Sequence, residues 1–467
     1  MLALVAVAPV IRAIWLGLRS PAGVALVASE AAPDAVMAAV GVLWALALLS
    51  GSIRGPALLP PFLTHALGGG PSLRRTVFRG PMLRSELAVT VVTAASGGLV
   101  GGALVGHGAD TASAVAFTAA CALVGAITSV AWLAGQAMPR AAVPAALLVL
   151  GLVGVTLLLP ALHPVMPWGW AASAYPSDDG LASPLPLVAL AVLACALLAS
   201  TPLMLDRLRH PALMSQALRW EAATAHAATM DLGAAASLYR AVPRSGRRIR
   251  AVRSGRGLVA AFLLRDAVGA IRTPGRLIAG LLALVGAGLL MTAASAWPGP
   301  VWLPGAAAGV LALLGLGPLS DGIRHAATVA SDMPLYGVSD ARLLLLHALL
   351  PVAALVIPGT AAAAGAATTG IGVLAPVAAS LCLGLLALLV RIGSALKGAL
   401  PPALLTPMPT AFGDAAAGVR LVWALDGPLL AGLGGAASAV ILSAPALFAI
   451  VAIAAAASVV IRWRGRR

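Results

Sequence analysis

Apolar blocks alternate along the chain with short gaps that hold most of its arginines. A helix needs about 20 mostly apolar residues to cross roughly 30 Å of hydrocarbon. In the second half, residues 277–297, 301–319, 343–364, 370–390, 427–443 and 445–461 come up to or near that length. The first half offers 36–49, 87–105, 111–138, 141–159 and 185–205, with an opening stretch, 13–29, interrupted by Arg19 and Pro21. Stretches such as 277–290 and 446–461 show none of the apolar–polar alternation of barrel strands. The pattern predicts an all-α polytopic membrane protein of about 12 transmembrane helices. It divides into a first membrane half (1–205), a basic cytoplasmic linker (206–256) and a second membrane half (257–467).

Composition narrows this further. The chain is 61% hydrophobic and 10% charged, with mean hydropathy +1.00, whereas about a quarter of a soluble domain is charged. A net charge of +15 would point a soluble chain toward nucleic acid. Here the basic residues flank apolar blocks, where retention on the cytoplasmic side explains them, so the expected partner is the lipid bilayer and no nucleic acid. Lys397 is the single lysine among 30 basic residues, which reads as the codon bias of a GC-rich bacterium. Cys121, Cys195 and Cys382 lie inside apolar blocks without a CxxC spacing, as small hydrophobes do. The chain opens in apolar sequence with Arg12 as its first charge, so no cleaved signal peptide is expected.

Both flanks of the second half are basic, at 244–256 and 461–467. With an even number of spans, this places both termini in the cytoplasm and the protein in the plasma membrane. In the first half Glu30, Asp34, Asp110, Asp178 and Asp179 fall on expected outer loops, and Arg54, Arg74, Arg75, Arg79 and Arg84 on inner ones. The halves also echo each other. Arg12 and Arg19 precede Ser20-Pro21 as Arg265 and Arg272 precede Thr273-Pro274. That spacing is nearly two helical turns, and proline suits the first turn of the helix that follows. Ile53-Arg54-Gly55 is matched by Ile323-Arg324-His325, and Arg140 and Arg391 each close a fourth span. Six helices per half make the repeats parallel, about an axis along the membrane normal.

Ion-coupled carriers keep ionisable groups at mid-membrane. In this chain Glu86, Asp110, Asp206, Asp266, Asp332, Asp340, Asp414 and Asp426 all fall at or near expected span ends, and His107 and His347 are the nearest candidates. There is no HExxH, GxSxG or Walker A pattern, so neither intrinsic catalysis nor a bound cofactor is expected. Gly97-Gly98-Leu99-Val100-Gly101-Gly102 reads as a close helix crossing. Residues 213–240 read as a partly exposed helix and 257–276 as an interfacial one. Residues 317–342 read as a short helix, a turn at Pro334 and Gly337, and a new span capped by Ser339-Asp340. The outer loop with Trp168, Trp170 and Tyr175 needs no ligand, because such rings favour the membrane boundary.

The chain resembles the membrane subunits of ABC-2-type exporters, in the long actinobacterial form with two fused six-helix halves. The likeness rests on the basic interfacial helices at 12–21 and 265–274, the structured loop after each second span, and the stretch from Pro401 through Thr406-Pro407 and Asp414 to Asp426-Gly427-Pro428. It implies an export permease energised by a separate ABC ATPase subunit, which binds the ATP. It also implies that Arg265, Asp266, Arg272, Met333, Pro334 and Tyr336 lie near that partner, with Arg12 and Arg19 as first-half equivalents. The large outer domains usual in the family have no counterpart in this sequence. Two other classes stand beside this one: a secondary transporter with parallel repeats, and a non-transporting scaffold or assembly factor. Either two fused halves complete a pathway in one chain, or the chain forms a homodimer.

Overall fold

The structure is a computed structural model. It describes residues 11–12, 14–70, 72–176, 183–229, 231–239, 245–246, 248–251, 257–296, 301–330, 337–398, 401, 406, 408–410 and 413–465. Among these, ten helices are long and apolar enough to cross a bilayer. The exception to all-helical structure is a two-residue antiparallel pair, Pro409–Thr410 with Gly413–Asp414. The protein is an all-α polytopic membrane protein. Its contacts divide it into Met1–Ala225 and His226–Arg467, a boundary inside the expected linker.

In the first unit the spans are α2 (Ala32–Ile53), α5 (Arg79–Val105), α6 (Thr111–Ala137) and α9 (Leu185–Asp206), with the shorter apolar α7 (Ala142–Leu158). Between them lie α3 (Pro61–Gly68), α4 (Arg74–Val77) and α8 (Pro167–Ser173), and α10 (His210–Ala228) follows. The expected opening span, 13–29, is not one helix. Residues 14–18 are helical, Arg19 and Ser20 turn, and α1 (Pro21–Val27) starts afresh. The Ser20 hydroxyl accepts the Gly23 N–H at 3.2 Å, and Pro21 occupies the first turn. That cap satisfies a new helix start where a continuous span would need unbroken backbone pairing.

The second unit has α11 (Leu232–Ser237), α12 (Leu258–Ile271), α13 (Pro274–Ala296) and α14 (Trp302–Gly315). Then come the amphipathic α15 (Asp321–Val329), the joined pair α16 (Asp340–Ala354) and α17 (Val356–Thr369), α18 (Leu374–Leu396), α19 (Ala415–Ala439) and α20 (Pro445–Arg464). Pro351 and Pro358 flank the break between α16 and α17. Proline removes a helical hydrogen bond and crowds the preceding turn. Ser339 caps α16 through the Arg342 N–H, and Gly337 adopts φ +62°, as the sequence anticipated.

The two units share a pairing scheme. Counting the broken opening segment as a first span, the fourth span of each unit packs on the second, third and sixth. The second also packs on the fifth, and the first on the third. Trp132 and Arg391 stand at matching places, each five residues before the end of its fourth span. Trp132 donates to the Arg54 carbonyl at 2.7 Å, and Arg391 to the Leu313 carbonyl at 2.7 Å, both near the end of a second span. Arg391 therefore answers to Trp132 rather than to Arg140, which lies beyond its helix. This agreement supports an internal duplication whose first copy has a shortened opening helix.

Small residues set the helix spacing, as membrane packing favours. A Cβ on Gly97 would lie 2.7 Å from the Cys121 sulfur and one on Gly101 3.2 Å from Ala114, so the glycine run is a close crossing. In the second unit α14 and α19 cross at Gly305, Gly309 and Gly435, where a methyl group would overlap the facing backbone.

Candidate functional site

Helix direction sorts the charges by end. In the first unit Glu30, Asp34 and Asp110 lie at the ends of α2 and α6 where these helices begin. Arg54, Arg74, Arg75, Arg79 and Arg84 lie at the opposite end. In the second unit the connecting stretches 297–301, 370–373 and 440–444 carry no charged residue. Among the described residues, its ion-paired side chains gather at the end where α13 begins and α20 finishes. That basic end holds three polar assemblies, of which the first is buried and the other two are partly exposed.

The first joins α12, α15 and α16. His347 is fully buried, and its Nδ1 lies 2.6 Å from Asp266 Oδ2, whose side chain is 8% exposed. Arg265 Nη1 lies 3.3 Å from His347 Nε2. Guanidinium can only donate, so Nε2 holds the lone pair and Nδ1–H donates to the carboxylate. The neutral imidazole is thus clamped between an anion and a cation from one helix. Phe262 meets the ring edge-on at 4.9 Å, and the His325 ring lies at 6.2 Å. A methyl group on Gly322 would overlap both the imidazole and the carboxylate, so α15 approaches this closely only with glycine there. Burial, with the Arg265 guanidinium nearby, pushes the His325 imidazole below its usual 6.5.

The second assembly anchors the start of α13. Arg276 grips Asp321 with two hydrogen bonds, of 2.5 and 2.9 Å, and donates to the Gly317 carbonyl at 2.9 Å. Two-pronged guanidinium–carboxylate pairs fix geometry as well as charge. Arg324 approaches the same carboxylate at 3.8 Å. The third ties the ends of α18 and α20 to α19. Lys397 binds Asp426 at 2.6 Å and the Trp423 carbonyl, with its ammonium over the Trp423 ring at 3.8 Å. Arg462 binds the other Asp426 oxygen and the Gly393 carbonyl. Asp426 lies well inside α19, which begins before the expected 427 because 415–426 is rich in helix-forming alanine.

The first unit builds its basic end differently. Gln136 on α6 donates to Gln216 on α10 at 2.9 Å; Gln216 also accepts the Gly55 N–H, and Gln136 both accepts from and donates to the Ala57 backbone. Arg54 stacks on Trp220 at 3.5 Å, and Arg75 faces Asp206 at 3.8 Å.

Of the residues expected at a partner surface, Arg265 and Asp266 come together, but inward on His347. Arg272 caps α12 and donates to the Ile249 carbonyl at 3.0 Å. Arg12 is exposed on its helix. Arg19 stacks by Trp15 and sits beside Gly106, at the end of α5 away from Arg79 and Arg84. It therefore does not occupy the place that Arg265 and Arg272 hold in the second unit. Met333, Pro334 and Tyr336 lie outside the described residues. His347 carried a sequence signal, a histidine four residues before Pro351 in an apolar run. The Gln136–Gln216 pair, 80 residues apart, carried none.

No protein-family model, curated protein or solved structure matches the chain. Its reading rests on this geometry.

Proposed function

We propose that the protein is the membrane-spanning permease subunit of an ATP-driven, ABC-type exporter, energised by a separate ATPase subunit. The observation that carries this is the α12–α15–α16 junction. A surface helix and a loop helix are bolted to the start of a membrane span by Asp266, His347 and Arg265. A push on α12 or α15 would then reach the membrane helices without being absorbed in a loop, because packed elements have few intermediate arrangements. The positive-inside rule puts the basic ends, and with them the C-terminus, in the cytoplasm of a cell whose plasma membrane holds the chain. That is the side where nucleotide is available. Trp15 and Arg19 lie at the acidic end of the first unit, so the rule does not carry the expected cytoplasmic N-terminus with it. Among the described residues, the ionisable groups of the second unit's three assemblies sit near the basic end and away from mid-membrane, where ion-coupled carriers keep theirs. The secondary-transporter reading therefore gains no support.

The test is purification of the full chain from its native membrane in mild detergent, with partners identified by mass spectrometry. The reading expects a stoichiometric ATPase carrying a Walker A sequence, cross-linked to α12 or α15. Recovery of the chain without such a partner, together with gradient-driven uptake by the chain alone, would overturn it.

A further inference from the structure

The acidic end of the first unit holds a half-open cavity of about 770 Å3, between α1, the start of α2, the end of α5 and α8. Met37 and Leu104, both buried, stand on its apolar wall, and Glu30, His107, His163 and Tyr175 are among its lining residues. The two histidines are held in defined tautomers. His107 Nδ1 lies 2.9 Å from the Ala103 carbonyl, and His163 Nε2 lies 3.2 Å from the Thr156 carbonyl. A carbonyl only accepts, so each of those nitrogens carries the hydrogen. In the neutral ring, His107 Nε2 and His163 Nδ1 then keep free lone pairs. The Tyr175 hydroxyl donates to the Val27 carbonyl at 2.6 Å, and burial pushes the phenol up to about 12, so it stays neutral. Glu30 supplies the one formal charge among these four.

An apolar wall, a carboxylate and two lone-pair nitrogens fit a ligand with several N–H donors, one positive charge and a hydrocarbon body. An anion finds a carboxylate here, and an alcohol offers a single donor. We propose that this cavity binds the primary ammonium head of an amphiphile, donating to Glu30 and to the free nitrogens of His107 and His163, with the tail along Met37 and Leu104. The site stands independently of the exporter reading. Two sources supply that chemistry, a phosphatidylethanolamine headgroup or a soluble long-chain amine.

The full chain in phosphatidylcholine nanodiscs is titrated with a dansyl-labelled alkylamine, against empty nanodiscs for partitioning. Matching dansyl-labelled alcohol and carboxylate probes run beside it. The amine binds saturably and the other two do not. Glu30→Gln weakens amine binding roughly tenfold, the loss of one charge-assisted hydrogen bond. Ala28→Trp, a change at an exposed position on the cavity wall, abolishes binding while melting temperature holds. Competition by added phosphatidylethanolamine identifies the lipid as the source, and lack of competition identifies the soluble amine. Equal binding of amine and carboxylate overturns the proposal, as does unchanged amine binding in both variants.

Discussion

Asp266 and His347 are the pair whose perturbation tests the junction most sharply. The side chains are 8% and 0% exposed and meet at 2.6 Å. A hydrogen bond to a charged group contributes about 1.5–3 kcal/mol in soluble proteins, while pairs within bilayers average about 0.6. At the edge of the membrane-spanning region we expect a coupling of about 1.5 kcal/mol, between these bounds. Asp266→Asn keeps an acceptor for Nδ1–H and costs about 1 kcal/mol. His347→Ala leaves a buried carboxylate without its imidazole and opens a void, which costs roughly 3 kcal/mol. The double variant should lose less than the sum, because no buried carboxylate is left without its imidazole. Hydrogen–deuterium exchange over 258–271 reads this as local opening, where about 1.4 kcal/mol is tenfold in exchange. Exchange should rise in each single variant, most in His347→Ala, with the double variant about tenfold below the additive expectation. Strictly additive effects, or an α12 whose exchange ignores both changes, would refute the clamp.

Three further outcomes follow from the same geometry. Asp426→Asn leaves Lys397 and Arg462 facing each other without their shared carboxylate, so the thermal midpoint should fall by several degrees, whereas Arg464→Ala, exposed at the end of α20, should leave it unchanged. The His325 imidazole is held below its unfolded value of 6.5, so as pH falls through 6.5 the unfolded chain takes up the proton first and stability declines. A denaturant titration between pH 7.5 and 5 should show this slope, and His325→Asn should flatten it. Gly309→Ala forces a methyl group into the Ala431 backbone and should cost about 1–3 kcal/mol by overpacking; Gly154→Ala, with open space around it, should be neutral or gain up to about 1 kcal/mol.

Most of the architecture was legible in the sequence because the bilayer reduces the problem to length and hydropathy. The blocks at 111–138 and 445–461 became α6 and α20 with small changes at the ends. The capping pair Ser339-Asp340 and the crossing at Gly97–Gly101 were local signals, read directly. The opening segment showed the opposite: apolar content argued for a span, but Ser20-Pro21 offered a helix start that the backbone takes. Side-chain assemblies were harder. Asp266 and His347 lie 81 residues apart, and only packing of α12 on α16 makes one the partner of the other. The stretch 257–276 was read as a helix, and 258–271 is one, but its residues find a different use, because Arg265 and Asp266 turn inward on His347. Lys397, Asp426 and Arg462 come from three helices, so no spacing along the chain announces them.

The central claim is that energy enters through the basic end from a partner ATPase. Its most direct test is electron–electron double resonance between spin labels on α12 and on the uncharged end of α17, with the chain reconstituted beside its ATPase. The account predicts a change in distance on trapping the ATPase with ATP and vanadate, and none on imposing a proton or sodium gradient. A distance that shifts with the gradient and stays fixed through nucleotide trapping would contradict it.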